Sequence, residues 1–347
     1  HDFGYVSAGT LIERTSSALA SMSRLERYQG HFYNWYDTLT LAPLRPLYIS
    51  SVDSGNLAGH LLTLQPGLRG LVGERIIDPR VFGGLGDTLA VIEDLARDLA
   101  PRELSRLRRD VEAAQDAVPA TITAAKHWLA RLEGAAGTLA GELSVKALDA
   151  VAAVAGSDLD WWVTAMIRQI HDLQAELAFL APWSTLAAIP DRLLRDIPAL
   201  DAVPSLRELA TLDGVLALKN AGAGITDATK AELACMAELG PLIALGACRA
   251  RERIAAIEEL ARQSGELALV DYSFLYDDAV HLLAVGYNVD QRRRDTGHYD
   301  LLASEARLCS FVAIAQGAVP QENWFALGRQ LTTAGGEPIL LSWSGSM

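Results

Sequence analysis

The stretch DLDWWVTAMIRQIHDLQAELAFL, residues 158–180, settles the fold class. Leu159, Val163, Met166, Ile167, Ile170, Leu173, Leu177 and Leu180 recur at three and four residues, the stripe of a helix with one buried face. Upstream, Leu85, Leu89, Ile92, Leu95 and Leu99 repeat the pattern until Pro101 ends it. The same spacing predicts helices over about 102–117, 120–133, 137–154, 205–219 and 227–263, the last broken near Gly240–Pro241. Residues 85–263 are thus expected to be almost wholly helical, rich in Ala and Leu, with polar residues outside. Trp161–Trp162 read as a sugar platform or as core plus interface, and the second is preferred. His127 and His171 are lone helical histidines that need no special role.

The flanks differ. Leu11, Thr15, Ala18, Leu19, Met22 and Leu25 lie on one helical face with Thr10 as cap, and Gly30 is expected to end that helix. HFYNWYD (31–37) then packs four aromatic rings beside an imidazole, an amide and a carboxylate, although aromatics are 7% of the chain. Pro43 and Pro46 hold the next segment extended, and Asp53 or Ser54 caps a helix from Asn56 to about Leu64. Beyond Val270, Phe274–Tyr276 and His281–Gly286 read as the strands of a hairpin turning at Asp277–Asp278. A helix from Asp300 to Ala315 follows, then a short one in WFALGR. The expected boundaries are 1–75, 76–263 and 264–347. No strand–helix alternation argues for a parallel sheet.

With 347 residues, 50% hydrophobic and 21% charged, the chain has ordinary globular composition. Its net charge of −13 disfavours nucleic acid and anionic membrane surfaces as partners. The basic runs RLRRD (106–110) and QRRRD (291–295) are short and flanked by acids, so they read as solvated faces. Cys235, Cys248 and Cys309 are odd in number and far apart, as reduced thiols are. No Cys/His spacing suggests a metal, no cofactor motif is present, and no apolar run reaches the roughly 18 residues that a membrane span needs. The ends at His1 and LLSWSGSM read as cuts in a longer protein.

A sugar site needs flat rings for C–H faces and short polar groups for the rim. Tyr33, Trp35 and Tyr36 offer rings, and Asn34, Asp37, Asp53, Ser54 and Asn56 offer rim groups. The alternative is a loop packed into its own domain with the tyrosines as buried anchors. Glycoside chemistry needs two carboxyl groups flanking the bond. Asp37, Asp53, Asp271, Asp277, Asp300 and Glu305 have aromatic company, though Glu305 and Arg307 also suit a structural ion pair. Trp35 and Asp37 are expected to face a solvent-filled cleft.

Residues 30–64, 274–293, 299–332 and 340–347 closely resemble the glucoamylase-like domain of bacterial cyclic β-1,2-glucan synthases. Over 76–250 the resemblance is texture only. It departs at Leu47 and Val280, where arginines are usual, and at the pair before DLLASEAR, where a tyrosine is expected and His298–Tyr299 stand. The resemblance implies a mainly α fold, an (α/α)-toroid incomplete in this fragment, with a helical insertion and a short β-hairpin. It implies binding of linear β-1,2-glucan and its cyclisation by transglycosylation with retention. The alternatives are a non-catalytic glucan-binding or scaffolding module of the same synthase, or a β-1,2-glucan hydrolase. Partner domains would be a membrane glycosyltransferase and a phosphorylase-like domain of the same polypeptide, with this domain on the cytoplasmic side of an inner membrane. It puts the catalytic carboxylates beyond Met347 and the fragment alone inactive, leaving Asp37 and Asp53 as candidates within the chain. Tyr33, Asn34, Trp35, Tyr36, Asp37, Asp53, Asn56 and Trp343 are the expected substrate contacts, and residues 30–64 and 299–347 are expected to touch.

Overall fold

The computed structural model describes residues 1–96, 101–149, 157–186, 189–215, 229–328 and 330–341. The helices are α1 (Ala8–Arg24), α2 (Ser51–Gly70), α3 (Arg80–Ala96), α4 (Pro101–Ala117), α5 (Ile122–Asp149), α6 (Asp158–Leu180), α7 (Asp191–Asp196), α8 (Leu206–Leu209), α9 (Lys230–Leu267), α10 (Ser304–Ala315) and α11 (Glu322–Ala326). The strands are β1 (Arg27–Tyr28), β2 (His31–Phe32), β3 (Tyr48–Ser50), β4 (Tyr276–Asp277), β5 (Leu282–Leu283), β6 (Gly286–Asn288), β7 (Arg293–Arg294), β8 (Gln330–Ala334) and β9 (Glu337–Leu341). The chain is mainly α. It divides into two compact units: His1–Arg14 with Gly70–Ile257, and Thr15–Arg69 with Glu258–Met347.

In the first unit, α6 forms where the apolar stripe predicts it. The Ser157 hydroxyl accepts from the Asp160 amide, and Asp158 and Asp160 put negative charge at the helix's positive end. Helix α3 packs on α4 and α6, and α5 packs on the same two, so the four close on one another as a bundle. Leu85, Ile92, Leu107, Leu129, Leu132 and Ile170 fill it with no exposed surface. Glu176, 6% exposed, is held by the Arg253 guanidinium and by the Gly9 amide at 3.2 Å, so its charge is buried but paired.

Several sequence expectations change here. The two helices expected over 120–133 and 137–154 are one, α5, because Gly134 and Gly137 sit inside it; 150–154 lie outside the described residues. The 205–219 segment shrinks to α8 and a further turn at 212–215, with 216–219 outside the described residues. Pro241 does not break α9: Leu239 and Ile243 are buried on either side, so packing carries the helix through the lost amide. Leu95 is exposed, and so is Trp161, which stacks edge-on to Trp162 at 4.8 Å; the pair is therefore not core. His171 binds Glu133 at 2.9 Å. Among the described residues one helical stretch, Glu232–Leu267, is long and apolar enough to cross a membrane by length and composition, against the expectation of none. A mostly buried core helix passes the same test, but only 28% of this stretch's apolar window is buried; Leu239, Ile243, Ala247 and Ala250 are buried residues of the helix.

The second unit is built from both ends of the chain. Helix α1 stops at Arg24, and Gln29 and Gly30 form the turn of the β1–β2 hairpin at φ 49° and 91°. Gly30 is thus a hairpin residue, not a helix cap; its left-handed backbone favours glycine. Strand β3 pairs with β6, which pairs with β7, so Tyr48 lies opposite Asn288. The hairpin after Val270 is only β4 with β5; Gly286 leaves it to pair with Ser50. Helix α2 starts at Ser51 and runs through Pro66, longer at both ends than expected, and Ser50 rather than Asp53 or Ser54 caps it. It packs on α10: a Cβ at Gly55 would lie 2.4 Å from Cys309 Sγ, so only glycine fits. Helix α10 starts at Ser304, because the Asp300 carboxylate turns the chain just before it by accepting from the Leu302 amide. No sequence signal had been read in β8–β9, which turns at Gly335–Gly336. Tyr33, Ile49, Tyr272, Leu275, Tyr276, Leu283, Cys309 and Val319 form the unit's core.

Candidate functional site

A cavity of about 170 Å³ opens in the second unit. The hairpin and the loop after it contribute His31, Phe32, Tyr33 and Asn34. The first two turns of α2 contribute Asp53, Ser54, Leu57 and Ala58. Leu267 and Val270 close the remaining side. The lining is apolar with a few polar groups, the usual make-up of a small-molecule site.

Each polar group is positioned by its backbone. The Asn34 amide nitrogen of the main chain donates to the Tyr48 carbonyl at 3.0 Å, and its side-chain oxygen accepts from the Ser50 amide at 3.1 Å. The loop is thereby tied to the strand that leads into α2. Asp53 is exposed, and Ser54 beside it is buried. His31 is fully buried; its Nε2 contacts the Asp271 carbonyl at 2.7 Å, while Nδ1 has no partner. Nε2 is therefore the protonated nitrogen, and the ring is neutral. Burial is the main cause that lowers its pKa, against a smaller upward pull from Asp271.

The structure separates the expected contacts into groups. Tyr33, Asn34 and Asp53 line the cavity together. Tyr33 also belongs to the core, and the Tyr36 hydroxyl is used up, accepting from the Tyr33 amide at 2.8 Å and donating to the Glu26 carbonyl at 2.7 Å. Trp35 is half exposed and is not among the lining residues. Asp37 is not among them either: its carboxylate caps a turn, accepting from the Leu39 amide at 3.0 Å and from the Thr40 amide and hydroxyl at 2.7 and 2.9 Å, which hold its pKa down. Asn56 donates to the Val52 and Glu305 carbonyls, tying α2 to α10. Trp343 lies outside the described residues. Asp271, Asp277 and Asp300 accept from amides two residues on, as turn caps do, and Asp277 also pairs with Arg294 at 3.0 Å. The expected Glu305–Arg307 pair does not form; the Ser304 hydroxyl reaches Glu305.

His31, Phe32, Leu57, Ala58, Leu267 and Val270 line the cavity without being expected contacts, and behind it Tyr48 makes a contact that the sequence does not signal. The Tyr48 hydroxyl donates to Asp295 Oδ2 at 2.5 Å. Burial, and then Asp295 with smaller contributions from Tyr299 and Asp53, push the Tyr48 pKa well above its usual value. The β3–β6–β7 register creates this pairing across 247 positions, and nothing in either local sequence signals it. His31 sits in the quoted loop, but its role as a wall follows from Asp271, equally remote in sequence. Among the described residues no His, Cys, Asp and Glu group suits a metal ion. Cys235, Cys248 and Cys309 are free thiols, and burial pushes Cys309 up to about 12, which leaves it inert at neutral pH.

No family model matches the chain. Over 353 aligned residues, covering 99% of this chain, 31% are identical to the cyclic beta-(1,2)-glucan synthase NdvB of Rhizobium meliloti (strain 1021). The chain spans 10% of that relative's length. The alignment takes in the bundle as well as the flanks, so the cavity and the Ala/Leu-rich helices share one ancestry. Along nearly its whole length, this chain is related to one stretch of a cyclic β-(1,2)-glucan synthase.

Proposed function

We propose that this chain is a carbohydrate-active part of a cyclic β-1,2-glucan synthase and that its cavity holds a glucosyl unit of linear β-1,2-glucan. The observation that carries this reading is the cavity itself. It is small and lined by both apolar and polar residues, most of them within residues 30–64, one of the segments that resemble the synthases. In the complete protein it serves a glucoamylase-like (α/α)-toroid, to which α2 and α10 contribute, on the cytoplasmic side of an inner membrane. That domain closes the glucan into a ring by transglycosylation with retention. A carboxylate displaces one glycosidic oxygen, and a hydroxyl of the same chain then displaces the carboxylate, so one bond is broken and one formed without net hydrolysis. Retention needs two carboxyl groups about 5 Å apart, and among the described residues Asp53 is the single carboxylate of the cavity lining.

That count favours a second reading, in which this part grips the glucan and chemistry is done elsewhere in the polypeptide. Calorimetric titration of the chain with linear β-1,2-glucan tests the binding. Incubation of the complete synthase carrying Asp53→Asn, with products resolved as linear or cyclic, separates the two. Loss of rings with binding retained assigns Asp53 to chemistry, and rings formed at the normal rate assign it to neither role.

A further inference from the structure

The side chain of Asn34 has a fixed direction. Ser50's backbone nitrogen can only donate, so the Asn34 atom 3.1 Å from it is the carbonyl oxygen. The NH₂ end is then left without a partner among the described residues, on a residue that lines the cavity. Ser54's hydroxyl and Asp53's carboxylate, also in the lining, make no side-chain hydrogen bond among the described residues either. The cavity therefore offers a donor on the loop, and an acceptor and a hydroxyl on α2.

The charge pattern narrows the ligand. Among the described residues the lining holds no Lys or Arg, and His31 is neutral because burial lowers its pKa and its one proton is spent on Asp271. A phosphate or carboxylate would meet Asp53 with nothing to offset it. A neutral molecule with neighbouring hydroxyls can accept from Asn34 and donate to Asp53 at once. The geometry points to Asn34 as the specificity-determining donor of the cavity, reading a hydroxyl oxygen of one sugar ring whose own proton, or a neighbour's, goes to Asp53. This rests on the proposed glucan site and assigns its polarity; it places Trp35, Tyr36 and Asp37 outside the reading.

Asn34→Asp is the decisive variant. Its carboxylate still accepts from Ser50, so the loop keeps its tie, but the donor is gone. The chain and the variant are titrated with linear β-1,2-glucan oligosaccharides and with maltooligosaccharides, and their unfolding midpoints are compared. The expected result is affinity lowered tenfold or more with an unchanged midpoint. Glucan binding within twofold of the parent overturns the donor role and leaves the proposed function standing. Binding of maltooligosaccharides alone, lost in Asn34→Asp, keeps the donor and overturns the β-1,2-glucan reading. No binding of either saccharide by the parent overturns both. If Asn34→Asp does not fold, Asp53→Ala, at an exposed side chain, tests the other half of the pairing: removing the acceptor should cost a similar factor, and unchanged affinity rejects the pairing.

Discussion

The bundle and the cavity unit reach stability by different routes. In the bundle, neighbours in space are mostly neighbours in sequence, and α3 to α6 bury stripes that a period of 3.6 makes visible. In the cavity unit, the decisive contacts join residues some 240 positions apart: His31 with Asp271, Arg45 with Asp290, Tyr48 with Asp295. Helical periodicity organises one region and remote hydrogen bonds organise the other. The more chemistry a region carries here, the less its local sequence says about its shape.

Substitutions can break this contrast. The largest effect should come from Glu176→Ala in the bundle, which leaves the Arg253 charge, 13% exposed, without its partner. A loss of about 3–5 kcal/mol in urea unfolding is expected; a small loss would mean water reaches Arg253. Gly55→Ala should cost the cavity unit about 1–3 kcal/mol or more, since the added methyl meets Cys309. Gly134→Ala, inside α5 with open space around it, should be neutral or stabilising under the same measurement.

A subtler difference is pH dependence. His31 titrates lower folded than unfolded, so folded protein binds fewer protons in the window below the ordinary histidine value of about 6.5. Its contribution is whole above that value and is lost as pH falls toward the folded pKa. Denaturation midpoints taken between pH 7.5 and 5 should fall more steeply for the parent than for His31→Phe, and parallel curves would show His31 is not the group responsible. The smallest stability effect belongs to Trp35→Ala. Half exposed, it should move the unfolding free energy by no more than about 0.5 kcal/mol. The same change in the complete synthase should weaken glucan turnover if the ring is an outer sugar platform, at most by about 1–3 kcal/mol by analogy with base stacking.

Legibility follows the same division. Helix α6 was readable to the residue because its stripe and its start are local. Pro241 and Gly134 misled, since both weaken a helix that tertiary packing nonetheless completes. The composition of the aromatic loop could not say which of its rings turn inward. Tyr33 and Tyr36 anchor and Trp35 does not, and that is decided by Glu26 and the core behind them. Asp37 was singled out for its aromatic neighbours, while its real partners are Leu39 and Thr40, a turn signal read as a chemical one. Asn34 and Asp53 were found by residue type; their shared cavity needed β3 to bring them together.

The way the cavity unit is assembled also constrains how it can fold. Its two halves are interrupted by roughly 190 residues, Gly70 to Ile257, that form the body of the other unit. Were that insert a random chain, closing it would cost about 4–5 kcal/mol in entropy before a single strand of β3–β6 paired. A bundle of locally paired helices folds quickly by itself, so the insert is not a random chain when the second half of the cavity unit follows it. During synthesis, β3 and α2 emerge first and must wait without partners until β6 and α10 follow. The cavity unit is therefore completed only after the chain that interrupts it has been made.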